Sequence, residues 1–244
     1  MSLPNHWNPE DAPDERCLAS SRYFDLESET IQRTVAEVCD GLTTDREKAV
    51  SLFHFVRDEI RYDPYRIDFN PEHYLASRAI EVKYGFCVPK AVTYTALLRA
   101  AGIPAVLGFA DVTNHLSSEK LLAATRSKVF AFHGYSVLWV EEKWLKATPT
   151  FNRSLCDRAG INVLEFDGRT DALMAPYDKE GRLHMEYLRD RGWRLEFDME
   201  EMIEVYREHY PHWFETETFD AESYVSDGRS FEDDIRAEKA SASS

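Results

Sequence analysis

The run YGFCVPKAVTYTALLRAAGIPA, residues 84–105, decides the fold. Its apolar positions Val88, Ala91, Val92, Ala96, Leu97 and Leu98 cover most of a helix circumference instead of one stripe, the mark of a helix buried on all sides. Pro89 fits the first helical turn, and Gly102 followed by Pro104 closes the helix. Cys87 therefore opens a central helix, where unpaired amides and the positive end of the macrodipole favour a thiolate of depressed pKa. Gly85 allows a tight backbone turn that brings the sulfur to the mouth of a cleft, with the Cys87 amide placed to hold an oxyanion. The bland alternative is a small buried apolar side chain, as most free cysteines are.

Upstream, the apolar spacing stays helical. Ile31, Val35, Val38 and Leu42 mark an amphipathic helix over Ser28–Leu42, and Thr44 with Glu47 forms a capping box that opens a second helix running to about Ile60. Asn70 and Pro71 start a short helix through Ile80 that Gly85 ends. Downstream the period becomes extended, with strands at 106–109, 129–140 and 144–151, then at Val163–Phe166 and His184–Leu188. Periodicity does not separate helix from loop over Ser117–Lys128, and a last helix over Met199–Tyr210 stops at Pro211. Helices followed by an antiparallel sheet make an α+β fold. The division is an extension over 1–26, one domain over 27–215 and a polar tail over 216–244, whose DDIRAEKASASS (233–244) lacks the apolar content to fold.

Composition narrows the function. In 244 residues, 43% hydrophobic and 13% aromatic, there is ample material for a core without metal or disulfide support. A net charge of −15, from 44 acidic against 29 basic residues, argues against nucleic acid and anionic membranes as partners. No run approaches the roughly 20 apolar residues of a membrane span, and the start MSLPNHWNPEDAPDER lacks a secretory layout. Cys17, Cys39, Cys87 and Cys156 are widely spaced, so reduced thiols and a cytoplasmic location are expected. No cofactor or metal is expected: His209 and His212 are separated by Tyr210 and Pro211, which break a ligand face, and His184 with Glu186 is nonspecific.

The second chemical residue is His133, in FAFHGYSVLWV (130–140), where alternation sets it on one face with Tyr135, Val137 and Trp139. A histidine on a sheet facing a helix terminus suits a general base, although a lone histidine is more often structural.

Three ordered segments carry a resemblance. YGFCVPKAVTYTALLRAAGIPA, HGYSVLWVEEKWLKATPT (133–150) and the upstream VRDEIRYD (56–63) are similar to the nucleophile helix, histidine strand and preceding segment of the transglutaminase-like family, together spanning about residues 28–152. The resemblance implies a papain-like core in which a nucleophile on a central buried helix packs against an antiparallel sheet. It implies that Cys87 attacks an amide or ester carbonyl to form a thioester, with His133 as base and a third residue orienting the ring. The chain departs from the pattern at that third place, where Thr148 stands for the family's aspartate. A hydroxyl fixes a tautomer but does not stabilise an imidazolium. Asn152 is the rival orienter; Asp157 and Asp167 are remoter candidates, and Tyr84 is a candidate acyl-pocket residue. The expected partner is a peptide or small amide or ester substrate. The alternative, motivated by Thr148, is a catalytically silent domain that binds a peptide or protein.

Overall fold

Every side chain from Val88 to Arg99 is buried in helix α4 (Cys87–Ala100), the axis of the computed structural model, which describes residues 5–115, 117–215 and 229–242. Helices α1 (Glu29–Val38), α2 (Asp45–Glu59) and α3 (Ala76–Val82) pack on one side of it. A five-stranded antiparallel sheet packs on the other, in the order β1 (His6–Trp7), β7 (Met185–Arg194), β4 (Ala105–Asn114), β5 (Val129–Val140), β6 (Lys143–Ala147). A short parallel pair, β2 (Arg61–Tyr62) and β3 (Tyr84–Gly85), ties the exit of α2 to the residues before Cys87. This is the α+β architecture the sequence implies.

Polar residues on α4 survive burial because each finds a partner. Lys90 Nζ donates to the carbonyls of Arg57 and Ile60, capping α2, while burial pushes its ammonium well below its ordinary pKa. Arg99 donates to the carbonyls of Ala105, Ala19 and Leu195. Thr95 donates to Ser136 Oγ at 2.9 Å, and Ser136 donates to the Ala91 carbonyl at 3.0 Å. That pair stitches β5 to α4.

The capping box of α2 forms as expected, with Thr44 and Glu47 serving each other's amides. Several other boundaries differ. Lys83, in the left-handed region at φ 59°, ends α3 before Gly85 is reached, and Gly85 itself lies in the β2–β3 pair, not in a left-handed turn. Strand β6 stops at Ala147 because the Thr148 amide turns to the Ala172 carbonyl and Pro149 has no amide to pair. Residues 163–166 form no strand; Phe166 packs on Phe53 of α2 at 5.4 Å instead. The open segment after β4 contains α5 (Glu119–Thr125), capped by Ser118, and the unexpected α6 (Arg153–Ala159) follows β6. Helix α7 (Met199–His209) is capped by Asp198.

The ends also pack on the body. Trp7 joins Trp144 edge to face at 6.2 Å, and Trp144 Nε1 donates to the Asp11 carbonyl. The reading of the last residues as unable to fold is corrected: 231–242 form α8 (Phe231–Ala242). Its few apolar residues fall one turn apart, so Phe231 and Ile235 share a buried face. Phe231 sits 5.6 Å from both Tyr62 and Tyr65, and the Tyr65 hydroxyl donates to Asp234 at 2.8 Å. The rest of the expected tail, 216–228 and 243–244, lies outside the described residues.

Candidate active site

Cys87 begins α4 with Phe86 as its N-cap residue, which supplies no side-chain cap, so the first-turn amides stay free for other acceptors. The amides of Gly134, Val88 and Cys87 itself favour the Cys87 thiolate. Gly134 is what lets the strand come so near. A Cβ there would lie 3.2 Å from Val88 Cα, 3.4 Å from Ala91 Cβ and 3.5 Å from the Cys87 carbonyl oxygen.

His133 precedes Gly134 and follows a β-bulge. Ala110 pairs with His133 and Val112 with Phe130, so Asp111 alone opposes Ala131 and Phe132. Phe132 takes φ 60°, a strained value for a bulky residue, and stacks on Phe109 at 4.0 Å. Asp111 stabilises that strain: its Oδ1 accepts the Phe132 amide at 3.1 Å while Arg191 binds it bidentately at 2.6 and 2.9 Å. The bulge places His133 on the wall of the Cys87 cavity, and Tyr135, two residues further along the strand, lines a second cleft with Lys146 and Asp190.

Cys87 and His133 line one cavity of about 580 Å³. Tyr62 and Phe86 form part of its wall near the thiol, and α5 and α7 close it with Leu121 and Tyr206. The His133 Nε2 is buried without a hydrogen-bond partner, and no hydrogen bond joins the ring to the Cys87 sulfur. Burial pushes the half-buried Cys87 thiol up to about 11, against the opposing amides, and pushes the His133 imidazole down to about 4. The expected depressed thiol pKa is thus reversed: the cavity is apolar and holds no charge to stabilise a thiolate–imidazolium pair. The resting pair is a neutral thiol and a neutral imidazole.

Of the proposed orienting residues, Thr148 is buried at 1% exposure with an Oγ1 that makes no regular hydrogen bond, though the Tyr187 phenol is a neighbour. The structure does not bring Asn152 to His133. Its Oδ1 accepts the Tyr62 amide at 2.9 Å and its Nδ2 donates to Ser154 Oγ at 2.7 Å, so it clips the cavity-lining Tyr62 segment to the start of α6. Asp157 pairs with Lys179 at 3.4 Å, and Asp167 accepts the amides of Arg169 and Thr170 in a turn. Tyr84 stacks beneath Arg66 and is absent from the cavity wall. His209 meets Arg191 at 3.2 Å and His212 the Ala124 carbonyl at 2.9 Å.

Asp111 and Tyr187 are additions that strand periodicity does not reveal; Tyr187 lies edge-on to the His133 ring at 6.2 Å. The available signal is Asp111 itself, the one ionisable residue in the apolar run AVLGFADV (105–112).

Among the described residues no helix is long and apolar enough to cross a membrane. No curated protein matches the chain. A solved structure from Cytophaga hutchinsonii described as a "putative cysteine protease" is similar, with 15% identity, a TM-score of 0.43, and coverage of 75% of this chain and 56% of that one. One from Parabacteroides distasonis described as a "putative protease" gives 15% identity, a TM-score of 0.36, and coverage of 54% and 25%. The chain therefore spans about half of the first and a quarter of the second. The model of the transglutaminase-like superfamily matches residues 32–149, a span that contains Cys87, His133 and Thr148. Residues 32–149 are therefore a transglutaminase-like domain.

Proposed function

We propose that this protein is a cysteine-dependent acyl-handling enzyme that cleaves or transfers an amide or ester acyl group through a thioester, with Cys87 as nucleophile and His133 as base. The supporting observation is that the thiol at the start of α4 and the buried, unpartnered imidazole of β5 line the same cavity. Because both groups rest neutral, the proton leaves sulfur for His133 as sulfur attacks, instead of being transferred beforehand. The Gly134, Val88 and Cys87 amides, which face the sulfur, are the donors available to stabilise charge that develops there. Four free thiols and a peptide or small amide or ester substrate fit a cytoplasmic enzyme.

A second reading, a silent domain that binds a peptide or protein in the cleft, is favoured by one observation: Thr148 offers His133 no negative charge. Iodoacetamide separates the two. An enzyme shows alkylation of Cys87 that is accelerated by His133 and lost in His133→Ala. Labelling of Cys87 at the rate of the half-buried Cys39, unchanged by His133→Ala, refutes the catalytic reading. Gain of esterase activity from zero in Thr148→Asp identifies a decayed enzyme.

A further inference from the structure

The wall of the Cys87 cavity carries information about the acyl group. None of its lining residues is Asp, Glu, Lys or Arg, in a chain where 30% of residues are charged. Three of its neutral polar side chains are engaged elsewhere as well. Thr125 Oγ1 donates to the Leu121 carbonyl at 3.0 Å and to the Ser127 carbonyl at 2.8 Å. The Tyr210 hydroxyl donates to the Val129 carbonyl at 2.9 Å and accepts the Ala131 amide at 2.8 Å. Trp213 Nε1 donates to the Ala124 carbonyl at 2.9 Å. What faces the void is mainly ring and methyl surface, with the Asn114 amide and the Tyr62 and Tyr206 phenols also on residues of the wall.

We infer that the cavity selects an uncharged, apolar acyl group, excluding both carboxylate- and ammonium-bearing acyl groups. This rests on Cys87 acting as the nucleophile and adds which acyl groups reach it. A charge brought into this site loses its hydration and meets no counter-ion, and an unpaired buried charge is penalised by several kcal/mol in proteins generally. A methylene gains about fourfold by leaving water. Selection therefore runs mainly by burial of apolar surface and exclusion of charge. In the acylation step the Cys87 sulfur forms a bond to the ester carbonyl carbon and the carbon–oxygen bond to the alcohol breaks. The thiol proton passes through His133 to the departing alkoxide. Water then adds to the thioester, releasing the carboxylic acid and returning a proton to sulfur.

The test uses p-nitrophenyl esters of acetic, 4-methylphenylacetic, 4-carboxyphenylacetic and 4-(aminomethyl)phenylacetic acids, the last three similar in size and differing in charge. Acylation of the full chain is followed by p-nitrophenol release, each rate is divided by the ester's rate with a free thiol in solution, and the adduct is assigned by intact and peptide mass. The expectation is that the 4-methyl ester acylates Cys87 at least 10-fold faster than the acetate and at least 100-fold faster than either charged ester. Ile67→Arg, which sets a cation on the cavity wall, narrows the gap between the 4-methyl and 4-carboxy esters by 10-fold or more. Adducts on Cys87 at comparable rates for all four esters overturn this inference while leaving the nucleophile in place. No adduct on Cys87 from any ester, with Cys87→Ala releasing p-nitrophenol as fast as the parent, overturns the nucleophile and the inference together.

Discussion

Replacing Gly134 by alanine tests how closely the histidine strand must approach the nucleophile helix. The added Cβ meets Val88 Cα at 3.2 Å, Ala91 Cβ at 3.4 Å and the Cys87 carbonyl at 3.5 Å, all in the first turns of α4. Two of those atoms are backbone, so no side chain can rotate aside; strand and helix must part by a few tenths of an ångström. Overpacking of this kind costs about 1–3 kcal/mol. At roughly 2–4 °C per kcal/mol for a chain of this size, Tm falls by about 2–12 °C. The same separation draws the Gly134 amide and His133 away from the sulfur. Misplacement by about 1 Å costs on the order of 100-fold in rate, so a few tenths reduces ester acylation by about tenfold. Gly102→Ala is the control: φ is +84° with nothing within 4 Å of the new Cβ, at the far end of α4. It loses about 1 kcal/mol through backbone strain alone and keeps the acylation rate. Calorimetry and stopped-flow acylation read both effects. A Gly134→Ala protein with Tm within 1 °C and acylation within twofold of the parent refutes the close contact.

Stability should depend on acid through two buried histidines, His133 and His184, both pushed down to about 4 by burial. Their folded pKa values lie below the ordinary 6.5, so the unfolded chain binds the proton more tightly; the stabilisation is complete above pH 6.5 and is lost as pH falls toward 4. Between pH 7 and pH 5 the loss is on the order of 3 kcal/mol for the pair, and His184→Leu removes about half of this pH dependence in urea titrations. An unchanged slope in that variant contradicts the burial assigned to His184. Asp111→Ala strands Arg191 and the Phe132 amide, destabilising by about 3–5 kcal/mol and slowing acylation. Asp111→Asn keeps an acceptor for that amide, so it restores the acylation rate more than the stability. If the alanine variant acylates at the parent rate, the bulge holds His133 without Asp111.

The parts of this architecture readable from sequence are those written in local pattern. The all-round apolar run after Cys87, the capping box at Thr44 and Glu47, and the alternation of 129–140 each predict an element that forms. The misreadings arise where long-range packing outweighs local pattern. Phe166 is apolar because it covers α2, and the polar stretch after residue 230 folds because Phe231 packs on Tyr62 and Tyr65 and Ile235, one turn on, is buried with it. The placement of Cys87 at a helix start and of His133 on the following long strand is legible from helix position and strand context. The bulge that places His133 is not, since it depends on Asp111 meeting Phe132 and Arg191 across three segments. Nor is the raised thiol pKa, which comes from the apolar walls that distant segments supply around the helix terminus.

The central claim is that a neutral Cys87–His133 pair in one apolar cavity performs acyl chemistry. It is tested most directly by acid-quenching the protein during turnover of the 4-methylphenylacetyl ester and mapping the covalent adduct by peptide mass. The account predicts one acyl group per chain on Cys87, formed at a rate that falls as His133 titrates near pH 4 and at least 100-fold slower in His133→Ala. An acyl group on another residue, or one on Cys87 whose formation ignores His133→Ala, contradicts it.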